Sequence, residues 1–467
     1  MGSGVNTGAE HFDVLILGSG EAGKYLSWTL GAEGKRVALV ERRYIGGSCP
    51  NIACLPSKNI VHSAKVAWYA RRLNEFGLNP PAPGIDMTIV RDRKRAMVSA
   101  LVDVHNKRFA ASHVEFICGQ GAFVGPREIR VDLEQGGTKL LSADTVIVST
   151  GSRATVPDIP GLQAAQPMTH VEALELDVLP DHPIVLGAGY IGLEFAQAMA
   201  RFGSKVTVIA QHERLLPHED EDVATTLAQL LIADGVEFLF GHNAELVSGR
   251  SGDAVEVRVS SAGGQQVLQA THILVATGRA PNTDEIGLVE AGIERDATGH
   301  IRVNASLQTS AEGVYAVGDC AGSPHFTHIA YDDYRIVYRT LKGESQITTN
   351  RQVPYTLYTD PELAHVGLHE DDAKRQGLSY RLVKLPMAAV LRTRTLGETE
   401  GFLKALIADD DRIIGFTALG VGVGELLAPV QLAMSAGLPY TALRDLIVTH
   451  PTLTEGLVYL FSTSGPG

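Results

Sequence analysis

Residues 46–58 read GGSCPNIACLPSK and set Cys49 and Cys54, two of only four cysteines, between a glycine pair and Lys58. Such a pair can clip a metal, staple a fold or exchange electrons. The gap of four residues differs from the two-residue gap of usual zinc clips, and no second Cys/His pair of ligand spacing follows, so no metal is expected. A disulfide needs its two Cα atoms within about 4.4–6.8 Å. Residues five apart on an ideal helix are turned by roughly 140° and separated by about 7.5 Å along the axis, so a regular helix through both cysteines forbids the bridge. Pro50 suits the first helical position, which puts Cys49 at the cap. Pro56 is expected to disturb the turn that follows. Cys54 then lies near a helix N-terminus, where the macrodipole and a nearby cation favour thiolate. The spacing reads as a redox pair.

Such chemistry needs a carrier, and the flanking elements are built to hold one. Phe12–Leu17 is an apolar run of strand length that leads straight into Gly18-Ser19-Gly20-Glu21-Ala22-Gly23. A helical pattern (KYLSWTLGAEG) and a second strand ending on Glu41 follow. This is a βαβ unit with GxGxxG at its first turn. The glycines let backbone approach a pyrophosphate at a helix N-terminus, and Glu41 is placed to accept from a ribose hydroxyl pair. The pattern returns at 183–210: strand PIVLG, then Gly187-Ala188-Gly189-Tyr190-Ile191-Gly192, helix LEFAQAMARFG and strand KVTVIA. Two fingerprints imply two dinucleotides, one a bound flavin and the other a nicotinamide that comes and goes. The second unit ends on Ala210, followed by Gln211-His212-Glu213-Arg214, with no acid at the position matching Glu41. An acid there favours NAD by binding the free 2′-hydroxyl, so its absence, with Gln211 and Arg214 at hand, favours NADPH over NADH, although Glu213 turned inward opposes a phosphate.

DTVIVSTGS (144–152) and THILVATGR (271–279) are apolar strands ending in Thr-Gly, at Thr150-Gly151 and Thr277-Gly278, suited to close passage of backbone beside a cofactor. The stretch SAEGVYAVGDCAG (310–322) ends a strand on Gly318-Asp319, which sets a carboxylate toward a ribityl hydroxyl. Beyond about residue 350, runs such as GFLKALIADDDRIIGFTALG alternate as an antiparallel sheet with helices does, which marks a separate domain.

At 467 residues the chain exceeds one ordinary core and suggests about three domains. A net charge of −13 without a basic block makes nucleic acid and anionic membrane poor partners. No run of eighteen or so uncharged apolar residues exists, so no membrane span is expected. The start, MGSGVNTGAEHFDVLILG, has no basic region and its apolar run is broken by Asp13; it reads as a flexible leader over residues 1–10 and not as a secretory signal. Cys118 and Cys320 lie far from the pair and from each other, a sparse usage that fits a reducing cytoplasm where a disulfide is catalytic.

The GGSCPNIACLPSK segment resembles the redox-active stretch of the FAD-dependent pyridine nucleotide-disulfide oxidoreductases, usually GGTCxNxGCxPSK. The likeness continues through the first fingerprint, GAGYIGLE, ATGRxPN, VGD and a terminal HPTxxE. It implies an α/β fold of two doubly wound dinucleotide-binding domains, for FAD and NAD(P), plus an α+β C-terminal dimerisation domain, in an obligate homodimer. The implied segments are 1–152 and 280–350 for FAD, 153–279 for NAD(P) and 351–467 for the interface. The resemblance makes Cys49 the interchange thiol and Cys54 the flavin-facing one. It sets Lys58 beside the flavin with Glu194 as its ion-pair partner, and Tyr190 as an aromatic gate over the flavin. His450 and Glu455 match the family's acid/base dyad, which serves the partner subunit's site; imidazole titrates near the operating pH, and the carboxylate orients it. Cofactor contacts are implied at Gly18, Gly20, Gly23, Glu41, Gly47, Ser48, Lys58, Gly121, Ala122, Thr150, Gly151, Asp319 and His328 for FAD. For the nicotinamide they fall at Gly187, Gly189, Tyr190, Gly192, Gln211, Arg214 and Gly278.

HFTHIAYDDYRIV (325–337) and LRTR (391–394) look most like the bacterial branch related to mercuric reductase, which includes flavoproteins of the reactive-chlorine response that reduce hypothiocyanous acid. The expected reaction passes electrons from NAD(P)H through FAD to the Cys49–Cys54 pair, and then to a small-molecule disulfide or related oxidised acceptor. The alternatives are dihydrolipoamide dehydrogenase, mercury(II) reduction, and a flavoprotein redox sensor that does not turn over. Lipoamide dehydrogenases usually carry an acidic run where this chain has AYDD, and the terminal FSTSGPG lacks the vicinal cysteines of mercuric reductase. Pro50 and Ala53 replace the motif's common aliphatic and glycine, which bears on substrate access or potential.

Overall fold

The computed structural model describes residues 8–79, 84–345, 347–348 and 351–463, so the leader expected at 1–10 falls outside the described residues over 1–7. The chain divides into two compact units. One comprises 1–57, 91–155 and 279–351; the other comprises 58–90, 156–278 and 352–467.

In the first unit, strand Glu10–Leu17 runs parallel between Val37–Glu41 and Thr138–Val148, with Val314–Ala316 parallel beyond the latter. Glu115–Gly125 pairs with Val37–Glu41, turns into the antiparallel Glu128–Leu133, and that strand returns to Thr138–Val148. The unbroken VLIL run follows from burial on both faces of the sheet. Val14 and Ile16 pack with Leu26 and Trp28 of helix Glu21–Ala32. Leu15 and Leu17 face Ile129 and Val131 of the antiparallel excursion. Every alternate side chain finds apolar cover, as a period of two requires.

The second unit holds two sheets. Four parallel strands, in the order His272–Val275, Pro183–Leu186, Val206–Ala210, Val236–Phe240, form the nucleotide-type sheet. Helix Tyr190–Phe202 covers one face through Val185 and Val208, and the meander Asn243–Gly249, Val255–Ser261, Gly264–Ala270 covers the other through Ile184 and Leu186. The five-stranded sheet of residues 355–420 is wholly antiparallel, and the alternating GFLKALIADDDRIIGFTALG run forms its paired strands Phe402–Ala408 and Ile413–Gly420. Its core takes in Leu457, Leu460 and Phe461 of the helix Glu455–Ser462.

Candidate active site

In the first unit the glycines of the first fingerprint close around two carbonyls, those of Ser149 and Gly18. Gly18 has φ +100°, and a Cβ on it would stand 2.3 Å from the Ser149 oxygen; one on Gly23 would stand 2.3 Å from the Gly18 oxygen. Gly47, with φ +85°, lies so near Gly20 that a Cβ would come within 2.6 Å of its Cα. Helix Glu21–Ala32 starts at Gly20 with no side-chain cap, leaving its first amides to an anion. Glu41 takes the backbone amide of Ser19 at 2.8 Å and its hydroxyl at 2.6 Å on one oxygen, and the amides of Arg43 and Tyr44 at 2.8 and 3.1 Å on the other. The carboxylate is thus held at the end of its strand beside the glycine turn, with about four acceptor sites filled, so a ribose diol binds there by replacing one of these bonds. Thr150 and Gly151 follow Ser149 directly, Gly151 with φ +67° and open space around it. Gly121 lies mid-strand against Leu17, with Ala122 next to it opposite Arg130. Asp319 accepts from the Ser152 hydroxyl and has Arg279 at 3.8 Å. These residues fit a dinucleotide: close-packed where a side chain would collide, and uncapped where phosphates bind.

The thiols occupy the same unit. Helix Ser48–Ile52 is capped by Gly47, so Pro50 is its third residue and Cys49 its second. This corrects the expectation of Cys49 at the cap. Proline costs nothing anywhere in a first turn, where amides have no helical acceptor, and the close approach of Gly47 to Gly20 fixes the start. The helix ends at Ala53 (φ −133°, ψ −104°), and Cys54 opens an 18-residue helix to Arg71. Pro56 sits harmlessly in that first turn, so the disturbance expected there falls at Ala53 instead. The break lets two cysteines five apart face each other. Asn51 pins the loop by donating to the Ile45 and Gly47 carbonyls at 2.9 and 2.7 Å. Both cysteines are free thiols and half-buried. A hydrogen bond with Cys54, burial, and the charge on Cys54 push the Cys49 thiol up, while Thr327 works the other way. Cys54 Sγ lies 3.2 Å from Thr327 Oγ1, at the start of helix Thr327–Leu341, and the exposed His328 stacks on Phe326 with ring centroids 5.3 Å apart. Two adjacent thiols at helix N-termini are placed to form and exchange a disulfide.

In the second unit, Gly187 has φ +107° and would meet the Ala276 oxygen at 2.5 Å, and Gly192 would meet the Gly187 oxygen at 2.1 Å. Gly189 has nothing within 4 Å and caps helix Tyr190–Phe202 without a side-chain bond. The outer glycines are fixed by packing while the middle one faces open space, as a docking dinucleotide requires. Gly278, with φ +129°, closes the neighbouring strand's loop. Gln211 is exposed; Arg214 donates to the Pro217 carbonyl at 2.9 Å, and the Glu213 carboxylate lies over Gly241. These specificity candidates stay on their own loop and are not drawn together.

Lys58 binds both oxygens of Glu194, at 2.8 and 2.7 Å, and Glu194 is 5% exposed. The Tyr358 amide donates to Glu194 at 3.0 Å, and the Tyr358 ring lies 4.7 Å from the Lys58 ammonium. His450 Nδ1 lies 3.0 and 3.1 Å from the two oxygens of Glu455, which also accepts from the Thr452 amide at 3.2 Å and Tyr459 at 3.2 Å. Burial opposes its charge, yet the bonds from His450 and Thr452 hold the Glu455 carboxyl below the usual range. The His450 side chain is 61% exposed, so its second nitrogen faces outward. Thr327 and Tyr358 have no motif of their own, because their partners lie 273 and 164 residues away. Among the described residues one group of carboxylates, Asp220, Asp222 and Glu370, has oxygens close enough to share a cation; the Lys404 ammonium binds all three at 2.8, 2.8 and 2.6 Å.

Two dinucleotide turns, a thiol pair and an imidazole–carboxylate dyad on one chain define a flavoprotein that moves electrons between a pyridine nucleotide and sulfur. The chain belongs to the pyridine nucleotide-disulphide oxidoreductase family, whose profile matches residues 12–333, with the family's dimerisation domain over 353–461. It is 36% identical over 461 residues to the probable pyridine nucleotide-disulfide oxidoreductase RclA of Escherichia coli, covering 97% of this chain and 99% of that one. It is 31% identical to a mercuric reductase of Lysinibacillus sphaericus (96% and 82% covered) and 33% identical to a dihydrolipoyl dehydrogenase of Thermus scotoductus (96% of each). The solved Cu(II) complex of the HOCl-induced flavoprotein disulfide reductase RclA from Escherichia coli superposes with a TM-score of 0.89 at 35% identity, over 98% of this chain and all of that one. The protein is therefore an FAD-dependent oxidoreductase of sulfur groups that uses a pyridine nucleotide, on the α/β fold with a dimerisation domain. Its dimerisation domain supports a homodimer. No helix among the described residues is long and apolar enough to cross a membrane.

Proposed function

We propose that this protein is a cytoplasmic, NADPH-preferring reductase of small-molecule disulfides or related oxidised sulfur acceptors, working through Cys49 and Cys54. The observation that carries the reading is the hydrogen-bonded thiol pair at the start of the helix Cys54–Arg71. Residues 1–152 and 280–350 are assigned to FAD, 153–279 to the nicotinamide nucleotide and 351–467 to the subunit interface. FAD held by the first glycine turn, Glu41, Gly47, Ser48, Gly121, Ala122, Thr150, Gly151, Asp319 and His328 supplies the two-electron carrier between nucleotide and disulfide.

The residues then do the following. The 18-residue helix that Cys54 opens favours negative charge there more than the five-residue helix that carries Cys49, leaving Cys49 to meet the acceptor. Cys49, once deprotonated, attacks one sulfur of the acceptor disulfide and forms a mixed disulfide, releasing the other sulfur as a thiolate. His450, oriented by Glu455 and acting in the partner subunit's site, gives that thiolate a proton. Cys54 next attacks the Cys49 sulfur, closing the Cys49–Cys54 disulfide and releasing the second acceptor thiol. Glu194 holds the Lys58 ammonium in a fixed position one turn along the helix from Cys54. For the nucleotide, Arg214 offers a planar fork to a 2′-phosphate once it leaves the Pro217 carbonyl, and no acid ends the strand at Ala210 to oppose it.

Steady-state oxidation of NADPH and NADH with a panel of disulfides and oxidised sulfur compounds tests both parts. The reading expects acceptor-dependent turnover with a higher kcat/KM for NADPH, a preference that shrinks in Arg214→Ala. A preference for NADH, or a ratio unmoved by losing Arg214, contradicts the nucleotide assignment. Turnover only in the reverse direction, from a dithiol to NAD, supports the dihydrolipoamide reading instead.

A further inference from the structure

A partly buried polar cluster runs from the second glycine turn and takes no step in the chemistry above. Tyr190, the first residue of its helix, lies with its ring 5.7 Å from that of Tyr355, tilted by 33°. The Tyr355 hydroxyl stands 2.5 Å from Glu219 Oε1 and 3.1 Å from His369 Nε2. Glu219 is 3% exposed, and its Oε2 is buried without a hydrogen-bond partner. Burial, the charge of Glu219 and a hydrogen bond with Glu219 push the Tyr190 hydroxyl up, against a hydrogen bond with Tyr355. The three side chains thus form one cluster, with Tyr355 bonded to Glu219 and Tyr190 against both.

Glu219 is the carboxylate of this cluster whose charge changes near neutrality. Burial drives it up to about 7, against the Tyr355 hydrogen bond and Lys404 and with the charge of Asp220. Lys404, from strand Phe402–Ala408, is saturated by Asp220, Asp222 and Glu370, which raise its pKa despite burial. Burial pushes His369 down, against the charges of Asp220 and Asp372, and its ring stacks on the buried His365 at 3.8 Å. An ionised Glu219 claims the Tyr355 proton, which turns the Tyr355 lone pairs to the Tyr190 hydroxyl and anchors that ring. A protonated Glu219 accepts more weakly than the carboxylate, so the Tyr355 hydroxyl is held less firmly in that orientation and the anchor on Tyr190 loosens.

We propose that Glu219 and Tyr355 are positioning residues for the Tyr190 ring, and that the proton on Glu219 sets how readily the nicotinamide nucleotide binds. The inference rests on the reading of Tyr190 as the ring that must move aside for the nucleotide. With that ring anchored at high pH, binding must break its hydrogen bond, so KM rises with pH. A net hydrogen-bond contribution of ordinary size gives a rise of about two- to tenfold.

The test is KM and kcat for the preferred nucleotide between about pH 6 and 8, on FAD-loaded dimers of wild type, Glu219→Gln, Tyr355→Phe and Tyr190→Ala. Expected is a KM rise in the wild type with kcat moving less, and a flat, low KM in both Glu219→Gln and Tyr355→Phe. Tyr355→Phe removes a single oxygen and keeps the test open should the Gln variant fold poorly. A Tyr190→Ala variant with wild-type KM at every pH overturns the reading of the ring, and this inference with it. A shifted KM in Tyr190→Ala, together with a pH rise that survives in Glu219→Gln and Tyr355→Phe, overturns the inference alone.

Discussion

Glu455 gives His450 a fixed direction and leaves its other nitrogen to the outside, and that one-sidedness is what an acid in a neighbouring site requires. His450→Ala should therefore leave reduction by the nucleotide intact and slow acceptor turnover by about 10²–10⁴-fold, the usual worth of a general acid. Stopped-flow reduction and steady-state turnover, measured on the same variant, check this; equal losses in both contradict it. Residues at this scale were legible where side-chain type is dictated by chemistry over a short span, as in Cys49, Cys54 and the His450–Glu455 spacing. Residues that complete the surroundings were not. Thr327 against Cys54 and the Tyr358 amide on Glu194 are brought in by tertiary packing across hundreds of positions, and any small polar residue or backbone group would look the same in sequence.

At the scale of elements, each glycine turn is selected by collisions. A methyl on Gly192 would lie 2.1 Å from the Gly187 oxygen, inside the same turn. Gly192→Ala should push the helix off its strand, raise the KM for nucleotide, and lower stability by about 1–3 kcal/mol, as overpacking does. FAD content should be unchanged, since this turn belongs to the other dinucleotide. Thermal unfolding with FAD quantitation checks it, and loss of FAD together with nucleotide affinity would contradict it. The strand–helix–strand units were readable because two-sided burial writes a continuous apolar run and the turn demands glycine. The start of the helix Ser48–Ile52 was not, because proline is equally at home at any position of a first turn, and the deciding contact, Gly47 on Gly20, is a tertiary one.

For the whole molecule, the dimerisation segment leaves Ile447 fully exposed and Leu446 45% exposed, three and four residues before His450. Both lie within the matched dimerisation domain, which makes them the apolar side chains with which to test the subunit contact. Ile447→Asp should shift the protein toward monomer in sedimentation and lower acceptor turnover in parallel, with nucleotide binding retained; a stable, fully active monomer would contradict the shared site. The division into compact units is harder to read from sequence, since the border at Ser57–Lys58 falls inside one helix, where composition changes nothing. The central claim is that electrons from the nucleotide arrive at Cys49 and Cys54. The most direct measurement is alkylation of air-oxidised holoenzyme with and without NADPH under anaerobic conditions, read by peptide mass spectrometry. The account predicts that NADPH exposes both Cys49 and Cys54 to label, that a suitable acceptor reverses it, and that labelling of Cys118 and Cys320 does not respond. Label on Cys49 and Cys54 that is the same with and without NADPH would contradict it.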